Sequence, residues 1–264
     1  MKGPAYPPLS KAMLGRLSKL GQKKHRDIEG MFLAEGVRTV SELLDGLPDP
    51  EMLLAIVLEE GVAGRMGGLE RFRGKVFIAD AEAFARLAQT TTPQGVCAAF
   101  RKQPAGTYSP TSGTSLVVAL DDVQDPGNVG TIIRTAAWFG AKAVICGEGT
   151  ADPYNAKAVR SSAGSIHAVR IFSVSNLFHE MQRLQNAGFM VSAAALEGSD
   201  YRTFPEWPVR RVLVIGNEAN GIGNELLEMA DRLLLIPHAG PSPAVESLNA
   251  SVSAGILIAA LSFV

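Results

Sequence analysis

Short apolar runs alternate with helically spaced segments along the whole chain. Leu9, Met13, Leu17 and Leu20 recur at close to a helical period, with basic residues between them and Gly21 as a stop, so a helix is expected over 9–21. MFLAEG (31–36) reads as a strand. Val37, Val40, Leu43 and Leu44 set a helix over 37–47 that Pro48 and Pro50 end. The continuous apolar run at 52–58 predicts a buried strand, 76–79 a second, and 95–100 a third after the turn TTTPQG (90–95); 81–88 has helical spacing. This alternation predicts a small three-layer α/β domain over residues 1–104. RKQPAGTYSPTSG (101–113) has no periodicity and is rich in turn formers, which places an interdomain linker at 105–114.

The pattern resumes with SLVVAL (115–120), too short for a buried helix and read as a central strand. TIIRTAAWFG (131–140) has helical spacing, with Gly140 as its C-cap. Strands are predicted at 143–146, 169–172, 189–195, 212–215 and 233–236, and helices at 155–161 and 177–187. An apolar helix closes the chain. Strands alternating with helices predict a mostly parallel sheet covered on both faces, over residues 115–264.

Composition changes this picture little. With 264 residues, 47% apolar and only 6% aromatic, the core must be Leu, Val, Ile and Ala, as α/β folds use. No apolar run reaches eighteen residues, and MKGPAYPPLSK has no apolar signal core, so no membrane span and a cytoplasmic location are expected. Cys97 and Cys146 stand alone in strand-like runs, and His25, His167, His179 and His238 show no ligand spacing, so neither a disulfide framework nor a metal site is expected. The net charge is −1, but residues 1–112 hold 15 Lys and Arg against 12 Asp and Glu, and residues 113–264 hold 10 against 14. Lys11, Arg16, Lys19, Lys23, Lys24 and Arg26 fall within sixteen residues that contain no acid. That is either a phosphate-binding surface or a solvated basic helix end, and charge alone weighs the two equally.

Three polar segments carry candidate chemistry. In DPGNVGTIIRTA (125–136), Pro126 and Gly127 form a turn and Asn128 is placed to cap the following helix. Arg134, six residues on, is rotated by about 240° net on a regular helix, so Asn128 must sit at or before the helix start if both serve one site. The alternative is a cap and an unrelated surface arginine. GNEANGIG (216–223) is not a GxGxxG loop. Its Glu218, directly after a buried strand, needs a partner, for which Arg134 is the candidate; the alternative is a plain Asn220-Gly221 turn before a helix at Asn224 or Glu225. In ESLNASVSAG (246–255), Ser247 is a candidate N-cap, while Asn249, Ser251 and Ser253 are poor helix-interior residues. They mark either a close-approach site or a tight helix contact through Ala250, Ala254 and Gly255.

In this order the segments DPxNVGxxxRTAxxFG, GNExxGI and IPxxG…ESLNxSVxxG resemble the three motifs of the SpoU (TrmH-type) RNA ribose 2′-O-methyltransferases, across roughly residues 115–264. KLGQKKHRDIEGMFLAEG resembles the L30e-like substrate-binding domain that precedes many of these catalytic domains. The resemblance implies a SPOUT fold, an α/β domain with a mostly parallel sheet and a deep trefoil knot, working as a homodimer with S-adenosylmethionine bent in the knot. It implies cofactor contacts at Leu196, Gly216, Asn217, Gly221, Ile236, Leu248 and Asn249, and catalytic polar positions at Asn128, Arg134, Glu218, Ser247 and Asn249. Arginine stays protonated, so Arg134 is expected to orient the hydroxyl and stabilise the developing alkoxide rather than act as a simple base. Asn128 and Glu218 would hold the guanidinium, and Ser247 and Asn249 would shape the methionine end of the cofactor site. Arg16, Lys19, Lys23, Lys24 and Arg26 become the RNA contacts, with ribosomal RNA preferred; a transfer RNA enzyme and a non-catalytic RNA-binding relative are the alternatives. PSPAV (241–245) makes the spacer in the third motif longer than usual.

Overall fold

A computed structural model of the chain describes residues 6–62, 64, 66–110, 113, 115–240 and 246–262. In chain order the elements of the first part are α1 (Lys11–Leu17), α2 (Lys23–Glu29), β1 (Met31–Glu35), α3 (Val37–Asp45), β2 (Leu53–Glu59), β3 (Val76–Ala79), α4 (Ala81–Ala85) and β4 (Val96–Arg101). Then come β5 (Ser115–Leu120), α5 (Pro126–Trp138), β6 (Ala143–Cys146), α6 (Ala156–Ser161), β7 (Arg170–Ser173), α7 (Leu177–Asn186), β8 (Met190–Asp200), β9 (Arg210–Ile215), α8 (Asn224–Met229), β10 (Arg232–Leu235) and α9 (Ala250–Ser262). They form two compact units, residues 1–103 with 152–168, and residues 104–151 with 169–264.

The N-terminal unit holds a four-stranded sheet in the order β1-β4-β2-β3, with β4 antiparallel to both neighbours and β2 parallel to β3. Strands β1, β2 and β4 are buried on both faces over most of their length, which is why they read as unbroken apolar runs rather than alternating ones. One face sets Met31, Leu33, Ala55, Val57, Cys97 and Ala99 against Leu14, Leu17, Leu20, Phe84 and Leu87. On this unit Tyr154 and His167 of the 152–168 segment lie against the Phe32 ring, at centroid distances of 5.1 and 5.6 Å. The helix expected over 9–21 is α1 followed by a 3-10 turn, Ser18–Gly21, capped at its start by the Ser10 hydroxyl. Helix α2 was not announced by any apolar period.

Helix α2 corrects one expectation. Arg26 does not offer its charge to solvent or RNA; it is 3% exposed. Its Nε and Nη2 donate to Asp152 Oδ2 at 2.9 and 2.7 Å, and its Nη1 donates to the carbonyls of Leu20 and Gly21, both at 2.8 Å. A guanidinium taken out of water needs this degree of pairing, because a buried charge left without a partner costs several kcal/mol.

The C-terminal unit is a six-stranded, all-parallel sheet in the order β10-β8-β9-β5-β6-β7. Leu177, Met181, Leu184 and Leu226 of α7 and α8 cover one face, against Val117, Ala119, Ile145, Val191, Val212 and Val214. Helices α5 and α9 pack on each other, and α9 packs on β5 and β9. The residues expected to be linker contribute to this core. Tyr108 is buried, its hydroxyl lies 2.7 Å from Ser115 Oγ, and its ring meets Phe172 and Phe189 edge-on. The chain runs β5-β6-β7 to one side, then returns to lay β9 on the other flank of β5. The carboxyl ends of β5 and β9 therefore flank the topological switch point, where open α/β sheets place ligands. Among the described residues no helix is long and apolar enough to cross a membrane.

Candidate active site

The site begins where β5 ends. Asp125 is the N-cap of α5: its Oδ1 accepts hydrogen bonds from the amides of Gly127 at 2.5 Å and Asn128 at 3.2 Å, and Pro126 fills the first helical position. The helix thus starts five residues before the Thr131 expected from the apolar period. Asn128 is not the cap but the third residue of the helix, so its side chain is free for other work. It spans two loops: Nδ2 donates to Glu218 Oε1, and Oδ1 accepts from Asn249 Nδ2 at 3.1 Å. Asn249 Oδ1 in turn accepts from the Ser251 amide at 2.9 Å, the Ser251 hydroxyl at 2.7 Å and the Val252 amide at 3.3 Å, which caps the start of α9. Asn249, rather than the expected Ser247, does the capping; Ser247 is exposed and makes no hydrogen bond among the described residues.

One residue from each polar segment therefore joins a single row, Glu218–Asn128–Asn249. Arg134 does not. It is exposed on α5, with no hydrogen bond or ion pair among the described residues. The expected Arg134–Glu218 pair is not formed, because both Asn128 and Arg134 lie within one regular helix and project from different sides. The Glu218 carboxylate takes the Asn128 amide instead, and the guanidinium is left without a competing internal anion.

The loop after β9 is a tight hairpin. Asn217 and Gly221 exchange backbone bonds of 2.9 and 3.0 Å, and Gly221 adopts φ +71°. Gly216 has no room for a side chain, since a Cβ would lie 2.4 Å from the Gly221 carbonyl oxygen. The Asn217 side chain, 9% exposed, is bonded within the protein. Its Oδ1 accepts from the amides of Ala219 at 2.8 Å and Asn220 at 3.1 Å, and its Nδ2 donates to Asp122.

The remaining positions expected to touch cofactor are carried by β8, by the end of β10 and by the approach to α9. Leu196 lies three residues past Ala193, the last β8 residue paired with β9, and is 65% exposed. Ile236 follows β10 directly, and Leu248, 46% exposed, precedes α9. Leu196 and Leu248 expose apolar side chains, and Gly216 has room for none. The long spacer at 241–245 lies outside the described residues. The described residues contain no group of three His, Cys, Asp or Glu placed to hold a metal.

Residues 115–259 match the SpoU rRNA Methylase family. The chain belongs to that family. Residues 13–98 match the MRM3-like substrate binding domain. Among SpoU relatives, the 23S rRNA (guanosine(2553)-2′-O)-methyltransferase RlmP of Bacillus subtilis is 33% identical over 248 residues, which cover 91% of this chain and 92% of that protein. An RNA methyltransferase of the TrmH family from Porphyromonas gingivalis superposes with a TM-score of 0.79 at 31% identity, covering 96% of this chain and 98% of that one. The AdoMet-bound rRNA methyltransferase of Sinorhizobium meliloti gives 0.77 at 31% identity, covering 97% and 95%. These SpoU-type neighbours share the architecture described above, a mostly parallel α/β unit and a smaller α/β unit.

Two further carboxylates of these loops were passed over in the sequence. Asp121 Oδ2 accepts from the Gly223 amide at 2.8 Å, and Asp122 accepts from Asn217. The signal was present, because two carboxylates directly after a buried strand need partners for the same reason as Glu218.

Proposed function

We infer that this chain transfers the methyl group of S-adenosylmethionine to a ribose 2′-hydroxyl of ribosomal RNA. The observation that supports it most is the Glu218–Asn128–Asn249 row, which joins all three motifs at the switch point of the sheet. When bound, the cofactor supplies a methyl group made electrophilic by its sulfonium, so the protein must chiefly place the hydroxyl and accommodate the charge that appears on it. Arg134 does this: its unpaired guanidinium orients the 2′-hydroxyl and stabilises the developing alkoxide, while the proton passes to a phosphate oxygen of the substrate. Glu218, Asn128 and Asn249 hold the three loops in register, and Ser247 lines the methionine end. Leu196, Gly216, Gly221, Ile236 and Leu248 receive the cofactor, within the trefoil knot that the family resemblance implies.

The RNA lies on the N-terminal unit, in the cytoplasm. Arg16, Lys19, Lys23 and Lys24 are all exposed there; Arg16 and Lys23 are engaged by Glu29 and Asp27, while Lys19 and Lys24 have no partner among the described residues. The enzyme is a homodimer. Trp138, 84% exposed one turn after Arg134, and the exposed Val252 on α9 supply an apolar surface for the second copy. Sedimentation at micromolar concentration should give a dimer, and a monomer would remove that part of the reading. Titration calorimetry tests the chemistry: S-adenosylmethionine should bind and release heat. No binding would favour a non-catalytic RNA-binding relative.

A further inference from the structure

We propose that Asp122 is a positioning residue for Glu218, acting through Asn217. Asp122 sits just past the end of β5, in the left-handed backbone region at φ 54°, which it shares among described non-glycine residues only with Ala163. Aspartate tolerates that conformation better than most residues, but it still costs stability, and such residues persist where the surroundings hold them. What holds this one is a two-point clasp. Asn217 Nδ2 donates both to the Asp122 carbonyl at 2.9 Å and to its Oδ2 at 3.0 Å. Gln124 Nε2 donates to both carboxylate oxygens at 3.1 Å and fixes the rotamer. Gly149, in the loop after β6, leaves the space the carboxylate occupies: a Cβ there would lie 2.2 Å from Asp122 Oδ1.

The other end of Asn217 forms the Glu218 loop. Its Oδ1 accepts the Ala219 and Asn220 amides, and its backbone closes the hairpin with Gly221. Glu218 is thus carried on a turn that the Asn217 side chain anchors to Asp122. Asp121 adds a second tie by accepting the Gly223 amide at the head of α8. Loops after β5, β6 and β9 are locked together, and the Glu218 carboxylate is delivered to Asn128. Functional groups carried on loops need this kind of support, because misplacement by about 1 Å costs on the order of a hundredfold in rate.

The proposal rests on the methyl-transfer reading for its rate measurements, but not for its structural one. In the full-length enzyme, Asp122→Ala should lower single-turnover methyl transfer about tenfold, a part of that hundredfold, and leave S-adenosylmethionine affinity within about threefold. Asp122→Asn keeps an oxygen acceptor and tolerates the left-handed region, so it should recover most of the rate. Added to Glu218→Gln, Asp122→Ala should cost little more, since residues acting through one another are not additive. Hydrogen exchange at the Ala219 and Asn220 amides should accelerate in Asp122→Ala whether or not the protein transfers methyl groups. If the wild type transfers none, the functional reading fails while faster exchange still supports the clasp. Unchanged exchange, a full multiplicative loss in the double variant, or no rescue by Asp122→Asn would each overturn it.

Discussion

Arg26 in the N-terminal unit and Arg134 in the catalytic unit carry the same group in opposite circumstances. Arg26 is enclosed, and its donors are spent on one carboxylate and two carbonyls within its own unit. Arg134 stands on a thirteen-residue helix with no partner among the described residues. A buried guanidinium is committed to the fold, because any donor left unsatisfied is costly. A guanidinium kept on a rigid element and free of internal anions is available for a charge that arises only when substrate reacts. Arg211 belongs with Arg26: buried at the start of β9, it donates to the carbonyls of Leu261 and Pro208 and ties α9 to the sheet, and burial lowers its pKa.

The comparison predicts a double dissociation. Arg134→Ala should lower methyl transfer about a thousandfold, roughly 4 kcal/mol of barrier, with an unchanged thermal midpoint and cofactor affinity. Retention of rate within a few-fold would remove Arg134 from the chemistry. Arg26→Ala should do the reverse, because it strands Asp152: a loss of about 3 kcal/mol in chemical denaturation, with normal activity per folded molecule. A stable Arg26 variant that bound RNA poorly would return that residue to the RNA surface.

His167 sharpens the same contrast through pH. Neither ring nitrogen has a hydrogen-bond partner among the described residues, the ring packs on Phe32 and Phe100, and burial lowers its pKa from 6.5 to about 4. The folded ring stays neutral where the unfolded one is protonated, so stability is complete above pH 6.5 and is lost as the pH falls towards 4. The loss should be about 2 kcal/mol, allowing for partial exposure, and His167→Phe should flatten that slope in denaturation curves. An unchanged slope would mean that another group titrates. The smallest effect is expected at the surface. Reversing Lys19, Lys23 and Lys24 to Glu should weaken RNA binding about tenfold and make it less dependent on salt, with no change in cofactor affinity.

Much of this was legible in the sequence where apolar runs are short and bounded. The strands at Val76–Ala79, Ser115–Leu120 and Ala143–Cys146 fall where the runs do. Less legible were elements whose signal is polar. The start of α5 is announced by Asp125 and Pro126, but Gly127 and Gly130 interrupt the apolar period and hide its first turn. Helix α2 buries an arginine where a helix would ordinarily bury an apolar residue, so its phase could not be read. Tyr108 looked like linker because its neighbours are turn formers. The 152–168 segment follows β6 in the chain yet packs in the N-terminal unit, and chain order carries no trace of that. At the site, the motifs named Asn128, Glu218 and Asn249. That Asn128 rather than Arg134 bonds Glu218 depends on where α5 begins, which only the structure specifies.

The most direct test of the account is the fate of a labelled methyl group. The purified protein, S-adenosylmethionine labelled in its methyl group and ribosomal RNA should yield label in alkali-resistant dinucleotides, because a methylated 2′-oxygen can no longer attack the neighbouring phosphate. Label released as mononucleotides, or absent from RNA although the cofactor binds, would contradict ribose 2′-O-methylation.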